Sequence, residues 1–144
     1  MFDLHATTSD RLRADGQRYT TGRKALVGEL ERSDRPLSIP ELLQACRDLA
    51  QSSAYRNLAV LERAGVVRRI VTHDEFARYE LAEDLTEHHH HLICSRCGQV
   101  EDFTVSDKLE ITLERSLHRV AAKHGFAASG HRLDLVGVCA RCRS

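Results

Sequence analysis

The first part of the chain alternates apolar and polar residues at helical spacing, with turn residues between the blocks. Ser38 and Glu41 have the S-x-x-E spacing of a capping box, in which each side chain accepts a hydrogen bond from a free backbone N–H at the start of a helix. A helix is therefore predicted to begin at about Ile39. With its neighbours it makes three short predicted helices, in TSDRLRAD, TGRKALVGELERS and SIPELLQACRDLA.

A fourth predicted helix, QSSAYRNLAVLERAG, has two unlike faces. Ala54, Leu58 and Leu61 lie on its apolar face, and Gly65 provides a stop signal. The opposite face carries polar side chains that could reach a nucleic acid, namely Tyr55, Arg56 and Asn57.

After this helix the spacing of apolar residues shortens to a period of two residues, which is typical of strands. VVRRIV and FARYEL flank the polar turn THDE and together predict a β-hairpin. Helices followed by a hairpin, with one polar helix face, are what a winged helix-turn-helix needs. The alternative is a small α+β domain whose surface charges only keep it soluble, and the pattern alone leaves both open.

The second half predicts a small unit that follows a short polar hinge, AEDLTE. Its predicted elements are strands at His89–Cys94, QVEDF and HRLDLVGVC and one long helix at about Asp107–His124. Four apolar residues share one stripe of that helix: Leu109, Leu113, Leu117 and Val120.

Composition limits the class of protein. With 144 residues the chain can form one domain or two small ones, and no apolar run approaches the ~20 residues of a membrane-spanning helix. The N-terminal MFDLHATTSD lacks the basic head and apolar core of a secretion signal. We therefore expect a soluble, cytoplasmic protein.

The net charge is zero but unevenly divided. Residues 1–72 carry 12 Lys and Arg against 9 Asp and Glu, whereas residues 73–144 carry 9 against 12. The first half is the one to test for phosphate contacts, and the second suits cations.

The cysteines fall into two C-x-x-C pairs and one single residue, Cys46, which is expected to be buried packing. In a reducing cytosol such pairs more often bind metal than form structural disulfides. Four thiolates can complete a closed tetrahedral zinc shell, and the 41-residue spacer would clip the last strand to the first hairpin. A dithiol redox pair is the alternative. The predicted ligands are Cys94, Cys97, Cys139 and Cys142.

Four consecutive histidines precede the first pair, and a strand would turn alternate side chains to opposite faces. One face, with His89 and His91, could combine with Glu80 and Asp102 into a site for Fe(II), Zn(II) or Mn(II). The other face carries His88 and His90, for which the expected partners are His131 and a carboxylate of the long helix, Glu110 or Glu114. The alternative is a solvated run that ligates nothing, and His73 is a weak further candidate.

Together these motifs resemble the ferric uptake regulator family of bacterial metal-dependent repressors. GQRYTTGR resembles the family's first-helix motif, and SSAYRNLAVLERAGVV resembles its recognition helix. HHHHLICSRCG and HRLDLVGVCARC resemble its metal core, so the resemblance covers nearly the whole chain.

The resemblance implies an α+β protein that is neither an enzyme nor a membrane protein and binds no small-molecule substrate. An N-terminal winged helix-turn-helix domain, residues 1–83, would bind one half of a palindromic operator in double-stranded DNA. Residues 84–87 would form the hinge, and residues 88–144 a small α/β dimerisation domain with a three-stranded sheet and one long helix. Metal bound at the hinge would close the homodimer into its DNA-binding shape and so repress metal-homeostasis genes.

The resemblance also implies roles for residues. Besides structural Zn2+, it implies a second divalent ion, Zn2+ or Fe2+, with Mn2+ and Ni2+ open. The DNA contacts would come from Arg18, Tyr55 and Arg56. The regulatory ligands would be Glu80, His89, His91 and Asp102. The ligands of an additional site would be His88, His90, Glu114 and His131, with Glu110 as the alternative carboxylate.

One departure concerns the regulatory site. Iron- and peroxide-responsive members usually have a histidine before the third helix, where this chain has Arg35, and a guanidinium stays protonated and cannot ligate a metal. Arg68 and Arg69 occupy the stretch in which zinc-responsive members carry other ligands. The site is then expected either to be four-coordinate or to recruit His73.

Two further functions remain open. A peroxide-sensing repressor of the same family would hold Fe(II) at the hinge and become oxidised there. In another class, the chain would be a dimeric structural zinc protein without DNA binding. A zinc hydrolase is disfavoured because the chain has no H-E-x-x-H motif.

Overall fold

The computed structural model of the chain describes residues 2–72 and 76–144, so the predicted hairpin turn and His73 lie outside the described residues. The helices are α1 (Leu4–Ala14), α2 (Thr21–Arg32), α3 (Ile39–Ala45), α4 (Gln51–Arg63), α5 (Asp107–Lys123) and α6 (Ala140–Arg143). The strands are β1 (Leu37–Ser38), β2 (Val67–Ile70), β3 (Arg78–Leu81), β4 (His90–Cys94), β5 (Val100–Phe103) and β6 (Asp134–Gly137).

The predicted capping box at the start of α3 is confirmed. The Ser38 hydroxyl accepts from the Glu41 N–H, and the Glu41 carboxylate accepts from the Ser38 N–H at 3.0 Å. Pro40 adds a fixed backbone angle in the first turn, where no helical N–H is needed. These local contacts explain why a helix of only seven residues begins where the sequence predicts.

The prediction that α4 has two unlike faces is also confirmed. Its apolar side, Ala54, Leu58 and Leu61, is fully buried in the N-terminal core. Gly65, just after the helix, has a φ of +79°, a left-handed conformation that glycine adopts without strain. Tyr55 on the other side is about half exposed.

A three-stranded antiparallel sheet in the order β1-β3-β2 follows the helices. The outer strand β1 was not predicted, because two residues are too few to display a period. It forms by pairing Leu37 with Tyr79 and Ser38 with Arg78 of the predicted hairpin.

The segment predicted as a short polar hinge has structure that its sequence did not indicate. Residues Glu83–Leu85 form a single 3-10 turn. Leu85 is buried in the N-terminal core, and Asp84 forms an ion pair with Arg11 of α1. The hinge is therefore anchored at its centre to the first helices.

The second sheet has the order β5-β4-β6, with β4 antiparallel to β5 and parallel to β6. The predicted long helix α5 connects β5 to β6, and its N-terminal N–H of Leu109 is capped by the Ser106 hydroxyl. Leu109, Leu117 and Val120 of the predicted stripe remain 51%, 38% and 52% exposed. The helix therefore presents an uncovered apolar stripe.

A short helix that the sequence analysis missed, α6, starts directly after Cys139 and contains Cys142. The order of helices and two small sheets confirms the predicted α+β class. Among the described residues, no helix is both long and apolar enough to span a membrane.

Candidate metal centres and nucleic-acid interface

The two C-x-x-C pairs meet at one end of the second sheet. Cys94 ends β4, the turn returns through Gly98 at a φ of +74°, and Cys139 follows β6. The sulfurs all lie within 4.8 Å of one another, with Cys97 Sγ and Cys139 Sγ 3.8 Å apart. In a tetrahedral shell with Zn–S bonds of about 2.3 Å, neighbouring sulfurs are about 3.8 Å apart. The spacing fits a zinc ion.

The electrostatics of this cysteine cluster also suit a cation. The backbone N–H groups of Cys97 and Cys139 donate to Cys94 Sγ at 3.5 Å and 3.3 Å, and these bonds lower the pKa of the Cys94 thiol to about 5. Hydrogen bonding to Cys139 and the other neighbouring sulfurs raises the pKa of Cys142 to about 12. All four thiols can be deprotonated together only if a positive ion compensates their negative charges.

A second group, which we call the hinge cluster, joins the two sheets. It consists of Glu80 on β3, His89 and His91 at β4, and Asp102 on β5. The Glu80 carboxylate lies 2.9 Å from His89 Nε2 and 3.0 Å from His91 Nε2. Asp102 Oδ1 lies 3.7 Å and 3.6 Å from the same two nitrogens. Metal–N and metal–O bonds of about 2.0–2.2 Å place neighbouring ligand atoms about 3 to 3.6 Å apart, so these atoms fit one ion.

One buried and one partly buried carboxylate make the hinge cluster a poor place for anything but a cation. Asp102 Oδ1 is buried and has no hydrogen-bond partner among the described residues, and desolvation raises the pKa of this carboxyl. Burial alone would raise the pKa of Glu80, but hydrogen bonds from His91, Arg68 and His89 outweigh it and lower the pKa to about 2. A buried carboxylate oxygen that has no hydrogen-bond partner among the described residues and lies beside two imidazoles is suited to bind a metal ion.

Arg68 is a functional neighbour that the sequence analysis did not identify. It lies opposite Glu80 in the antiparallel pairing of β2 and β3. Its Nε donates to Glu80 Oε1 at 3.0 Å, and its Nη2 donates to the same oxygen. The hairpin register would have revealed this pair, because directly opposed residues on one face are neighbours.

Arg35, at the position where the resemblance led us to expect a histidine, is not a member of the hinge cluster. Its guanidinium forms an ion pair with Glu41 at 2.5 Å and so supports the start of α3. It lines a cleft of about 440 Å³ that also reaches Glu80, His89 and Asp102. The described residues thus supply four ligand groups to this cluster and none from the loop before α3.

A third group, the helix cluster, lies on the other face of β4 and comprises His88, His90, His131 and Glu110. Glu110 Oε1 is hydrogen bonded to His90 Nε2 and lies 3.4 Å from His88 Nε2. Glu110 Oε2 lies 3.4 Å from His131 Nε2. His90 Nδ1 and His131 Nε2 are buried and lack a hydrogen-bond partner within the described chain.

The structure corrects the choice of carboxylate in this cluster. Glu114 was expected beside the three histidines, but Glu110 occupies that place. Since α5 begins at Asp107, Glu110 lies in the first turn beside β4. Glu114 is one turn, about 6 Å, further along the axis and is exposed to solvent.

Glu83 of the hinge also contacts the helix cluster, and the sequence analysis did not identify it. Its carboxylate is hydrogen bonded to His88 Nδ1, while His88 Nε2 faces Glu110. A carboxylate on one ring nitrogen fixes the orientation and tautomer of a histidine whose other nitrogen binds a metal. Glu83 therefore positions His88.

The residues expected at a DNA surface lie on the outside of the N-terminal part. Tyr55 and Arg56 are exposed on α4, and Arg18 is exposed in the turn before α2. Asn57 is partly buried, and its Oδ1 accepts from Arg23 Nε at 3.0 Å. The first three side chains are thus available to a ligand, whereas Asn57 also links α4 to α2.

Comparison with known proteins gives the chain's relatives. Residues 14–136 match the sequence model of the ferric uptake regulator family. The chain is 36% identical over 139 residues to the ferric uptake regulation protein of Campylobacter jejuni, covering 92% of this chain and 84% of that one. It is 29% identical over 136 residues to the peroxide-responsive repressor PerR of Staphylococcus aureus, covering 92% and 86%.

The fold also resembles solved structures. The Helicobacter pylori ferric uptake regulator Fur, which has three functional metal-binding sites, superposes with a TM-score of 0.75. The two chains are 27% identical, and the match covers 99% of this chain and 95% of the other. The resemblance in fold therefore extends over both sheets.

Proposed function

The chain belongs to the ferric uptake regulator family, whose members are metal-responsive transcriptional regulators, and we propose that it represses metal-homeostasis genes as a homodimer. Residues 1–83 would bind DNA, residues 84–87 would act as the hinge, and residues 88–144 would form the dimer. The hinge cluster, which takes Glu80 from one sheet and its other ligands from the second, is the observation that carries this proposal.

The cysteine cluster is proposed as a structural zinc site. It is closed by four thiols, so it offers no open position for a substrate. Its members come from β4, the following turn and the segment after β6, which are far apart in the chain. Holding them together fixes the second sheet, which is too small to be stable from apolar burial alone.

The hinge cluster is proposed as the regulatory site for Zn2+ or Fe2+, with Mn2+ and Ni2+ as further candidates. A divalent ion there would supply the positive charge that the two carboxylates and two imidazoles lack. The chain's own part is to bring Glu80 on β3 to His91 and Asp102 on β4 and β5. These residues meet only when the two sheets adopt one relative orientation, so occupancy favours that orientation.

Arg11 connects the hinge to the end of the proposed recognition helix. Arg11 of α1 holds Asp84 in the hinge, and its Nη1 donates to the Gly65 carbonyl at 2.6 Å. Gly65 follows α4, which carries Tyr55 and Arg56. A conformational change at the hinge can therefore be transmitted to the proposed DNA-binding surface through the contacts of Arg11 with Asp84 and with the Gly65 carbonyl.

The helix cluster is proposed as an additional metal site with the ligands His88, His90, His131 and Glu110. Three imidazoles and one carboxylate are a donor set that suits zinc and other divalent transition ions. His131 Nε2 is buried without a hydrogen bond among the described residues and lies 3.4 Å from Glu110 Oε2, which supports occupancy by a ligand. Glu83 ties this site to the hinge as well.

Dimer formation is supported by apolar surface on the second unit. Besides the stripe of α5, apolar residues are exposed just after that helix and on β6, including Phe126 at 69%, Leu135 at 61% and Val136 at 57% exposed. Exposed apolar surface that is not scattered singly marks an interaction site. A second copy of the chain would cover it, as expected for a regulator that binds a palindrome.

DNA binding is proposed through α4 in the major groove. Tyr55 and Arg56 would contact base edges, Arg18 would lie near the minor groove, and Asn57 would assist from the edge of the same surface. The two sides of α4 support this assignment, since one side is fully buried and the other exposes large polar groups.

The proposal is tested by selecting DNA from a random pool with zinc- and iron-loaded protein. The selected sequences should be palindromic, and chelation should release them while added metal restores binding. Selected DNA that lacks two-fold symmetry, or binding indifferent to metal, would contradict the proposal.

A peroxide sensor is the second candidate, favoured by the similarity to a peroxide-responsive repressor and by the cleft that reaches His89. In that case peroxide treatment of the Fe(II)-loaded protein should add one oxygen atom to His89 or His91, which peptide mass spectrometry detects. Unmodified histidines after such treatment would exclude this candidate.

A further inference from the structure

The pairing of Arg68 with Glu80 leaves the two carboxylate oxygens of Glu80 in unequal positions. Oε1 accepts from both Nε and Nη2 of Arg68. Oε2 points to His89 Nε2 at 2.9 Å. His91 Nε2 lies at nearly equal distances from the two oxygens, 3.0 Å and 3.1 Å. Oε1 is therefore shared between a cation of the chain itself and His91, whereas Oε2 faces both imidazoles.

The strands hold Arg68 in this place. Arg68 and Glu80 are directly opposed across β2 and β3, and their side chains are only 22% and 7% exposed. A guanidinium stays protonated at any physiological pH, so Arg68 cannot be titrated away from Glu80. A charged, two-pronged hydrogen bond of this kind is also stronger than a neutral one.

We propose that Arg68 sets the metal preference of the hinge cluster by leaving Glu80 only one oxygen for a metal, which favours four-coordinate zinc over manganese. This inference rests on the proposed function, because it assumes that the cluster binds a divalent ion. Zinc is satisfied by four nitrogen and oxygen ligands, whereas manganese favours six-coordinate, oxygen-rich sites. A carboxylate that could offer both oxygens to the metal would stabilise a six-coordinate ion more than a four-coordinate one.

The number of ligand groups that the protein supplies to the hinge cluster also agrees with a four-coordinate ion. Arg35 is engaged with Glu41 at 2.5 Å and cannot ligate a metal. The cluster formed by described residues contains four groups, two imidazoles and two carboxylates. With one oxygen from each carboxylate, the protein offers two nitrogens and two oxygens, which is the number that zinc needs.

The test replaces Arg68 with methionine, which keeps an unbranched chain of similar length but has no donor. The background is E110Q/H131A, which disables the helix cluster, and the cysteine cluster is kept loaded with zinc. R69M is the matched control, because Arg69 is the next residue on β2 and forms an ion pair with Glu62 at 3.9 Å, outside the hinge cluster. Affinities for Zn(II) and Mn(II) are measured by competition with chelators, and the visible spectrum is measured with Co(II).

The ratio of Zn(II) to Mn(II) affinity should fall about 10-fold in R68M and stay unchanged in R69M, since removing a partner of a ligand shifts metal affinity by about 10- to 100-fold. The Co(II) bands of the R69M protein should be intense, as in four-coordinate sites, and should weaken in R68M. An unchanged ratio in R68M would overturn the role of Arg68.

Two further outcomes are decisive. If R68M fails to fold, the Co(II) spectrum of the protein with native Arg68 decides, because weak bands typical of six-coordination would overturn the proposal and intense bands would support it. If no second metal binds to the protein with native Arg68, the regulatory site itself is wrong, which is a failure of the proposed function. Metal binding with an unaltered preference in R68M refutes the inference about Arg68 alone.

Discussion

Arg11 and Asp84 link the first helix to the hinge through both terminal nitrogens of the guanidinium, with Nη1 3.3 Å from Asp84 Oδ1. The same Nη1 donates to the Gly65 carbonyl at 2.6 Å, at the end of the recognition helix. One side chain therefore contacts the segment that connects the two sheets and the helix that carries Tyr55. An exposed ion pair contributes little to stability, so the role that we propose for this pair is to couple the hinge to that helix.

Replacing Arg11 with methionine should weaken the response of DNA affinity to metal. The R11M protein should bind metal at the hinge cluster as before, yet the gain in DNA affinity on metal binding should shrink by a factor of about 5 or more, within the usual range of coupling energies. R32M is the control, because Arg32 is in an ion pair with Glu29 at 2.6 Å that does not involve the hinge. Equal metal responses in R11M and R32M would refute this route.

Loss of one cysteine of the cluster should remove the structural zinc. C97S should contain no zinc at this site and should unfold at a Tm lower by at least about 10 °C, since a structural metal contributes directly to folding. C46A is the control, because Cys46 is buried in the N-terminal core and away from the cluster. Zinc content by elemental analysis and Tm by calorimetry decide, and full zinc content in C97S would contradict a four-cysteine site.

The two glutamates of α5 provide a paired test of the helix cluster. E110Q should reduce metal affinity at this site by about 10-fold or more, because Glu110 contacts all three histidines. E114Q should leave it unchanged, since Glu114 is exposed one turn away. Metal titrations of the two variants side by side distinguish them, and a larger loss in E114Q would restore the original expectation.

The recognition surface is tested by Y55A and R56A. Each should reduce DNA affinity by about 10-fold or more, which is the usual loss for a base contact, while zinc content and dimerisation hold. R63A is the control on the same helix, because Arg63 pairs with Asp15 at 3.4 Å. DNA affinity that is unchanged in Y55A and R56A would favour a structural zinc protein without DNA binding.

Metal affinity at the hinge cluster should increase with pH. Burial lowers the pKa of His89, but hydrogen bonds to the Glu87 carbonyl and Glu80 outweigh it and raise the pKa above 6.5. Protons therefore compete with metal for His89 near neutral pH, and this competition ends as pH rises through the raised pKa. Titrations between about pH 6 and about pH 8 should show tighter binding at the higher value.

The metal-free protein should have the opposite dependence. A histidine with a raised pKa stabilises the fold below its unfolded pKa of 6.5, and this stabilisation is lost as pH rises through the folded value. The Tm of the metal-free protein should therefore decrease across the same pH interval. A flat metal affinity together with a flat Tm would contradict a protonated His89 beside Glu80.

Local patterns in the sequence predicted much of this molecule. The capping box at Ser38, the two faces of α4 and the alternation of the four histidines each depend on neighbours within a few residues. The strand period alone separates His89 and His91 from His88 and His90. Such features are visible in one sequence because local geometry fixes them.

Other features depend on contacts between distant segments. The choice of Glu110 over Glu114 depends on where α5 begins relative to β4, and both glutamates have the same helical face in sequence. The pairing of Arg68 with Glu80 depends on the register of the hairpin, and the sequence alone does not specify the length of the turn that sets this register. The burial of Leu85 depends on a core formed by the first four helices. Each needs tertiary packing that no local pattern encodes.

The central claim is that the hinge cluster couples metal binding to DNA binding. The most direct test measures the affinity of the hinge cluster for Zn(II) in the free dimer and in the dimer bound to its selected DNA. Because coupling is reciprocal, the account predicts that metal binds about 5- to 150-fold more tightly to the DNA complex. Equal affinity in the two states would contradict the account.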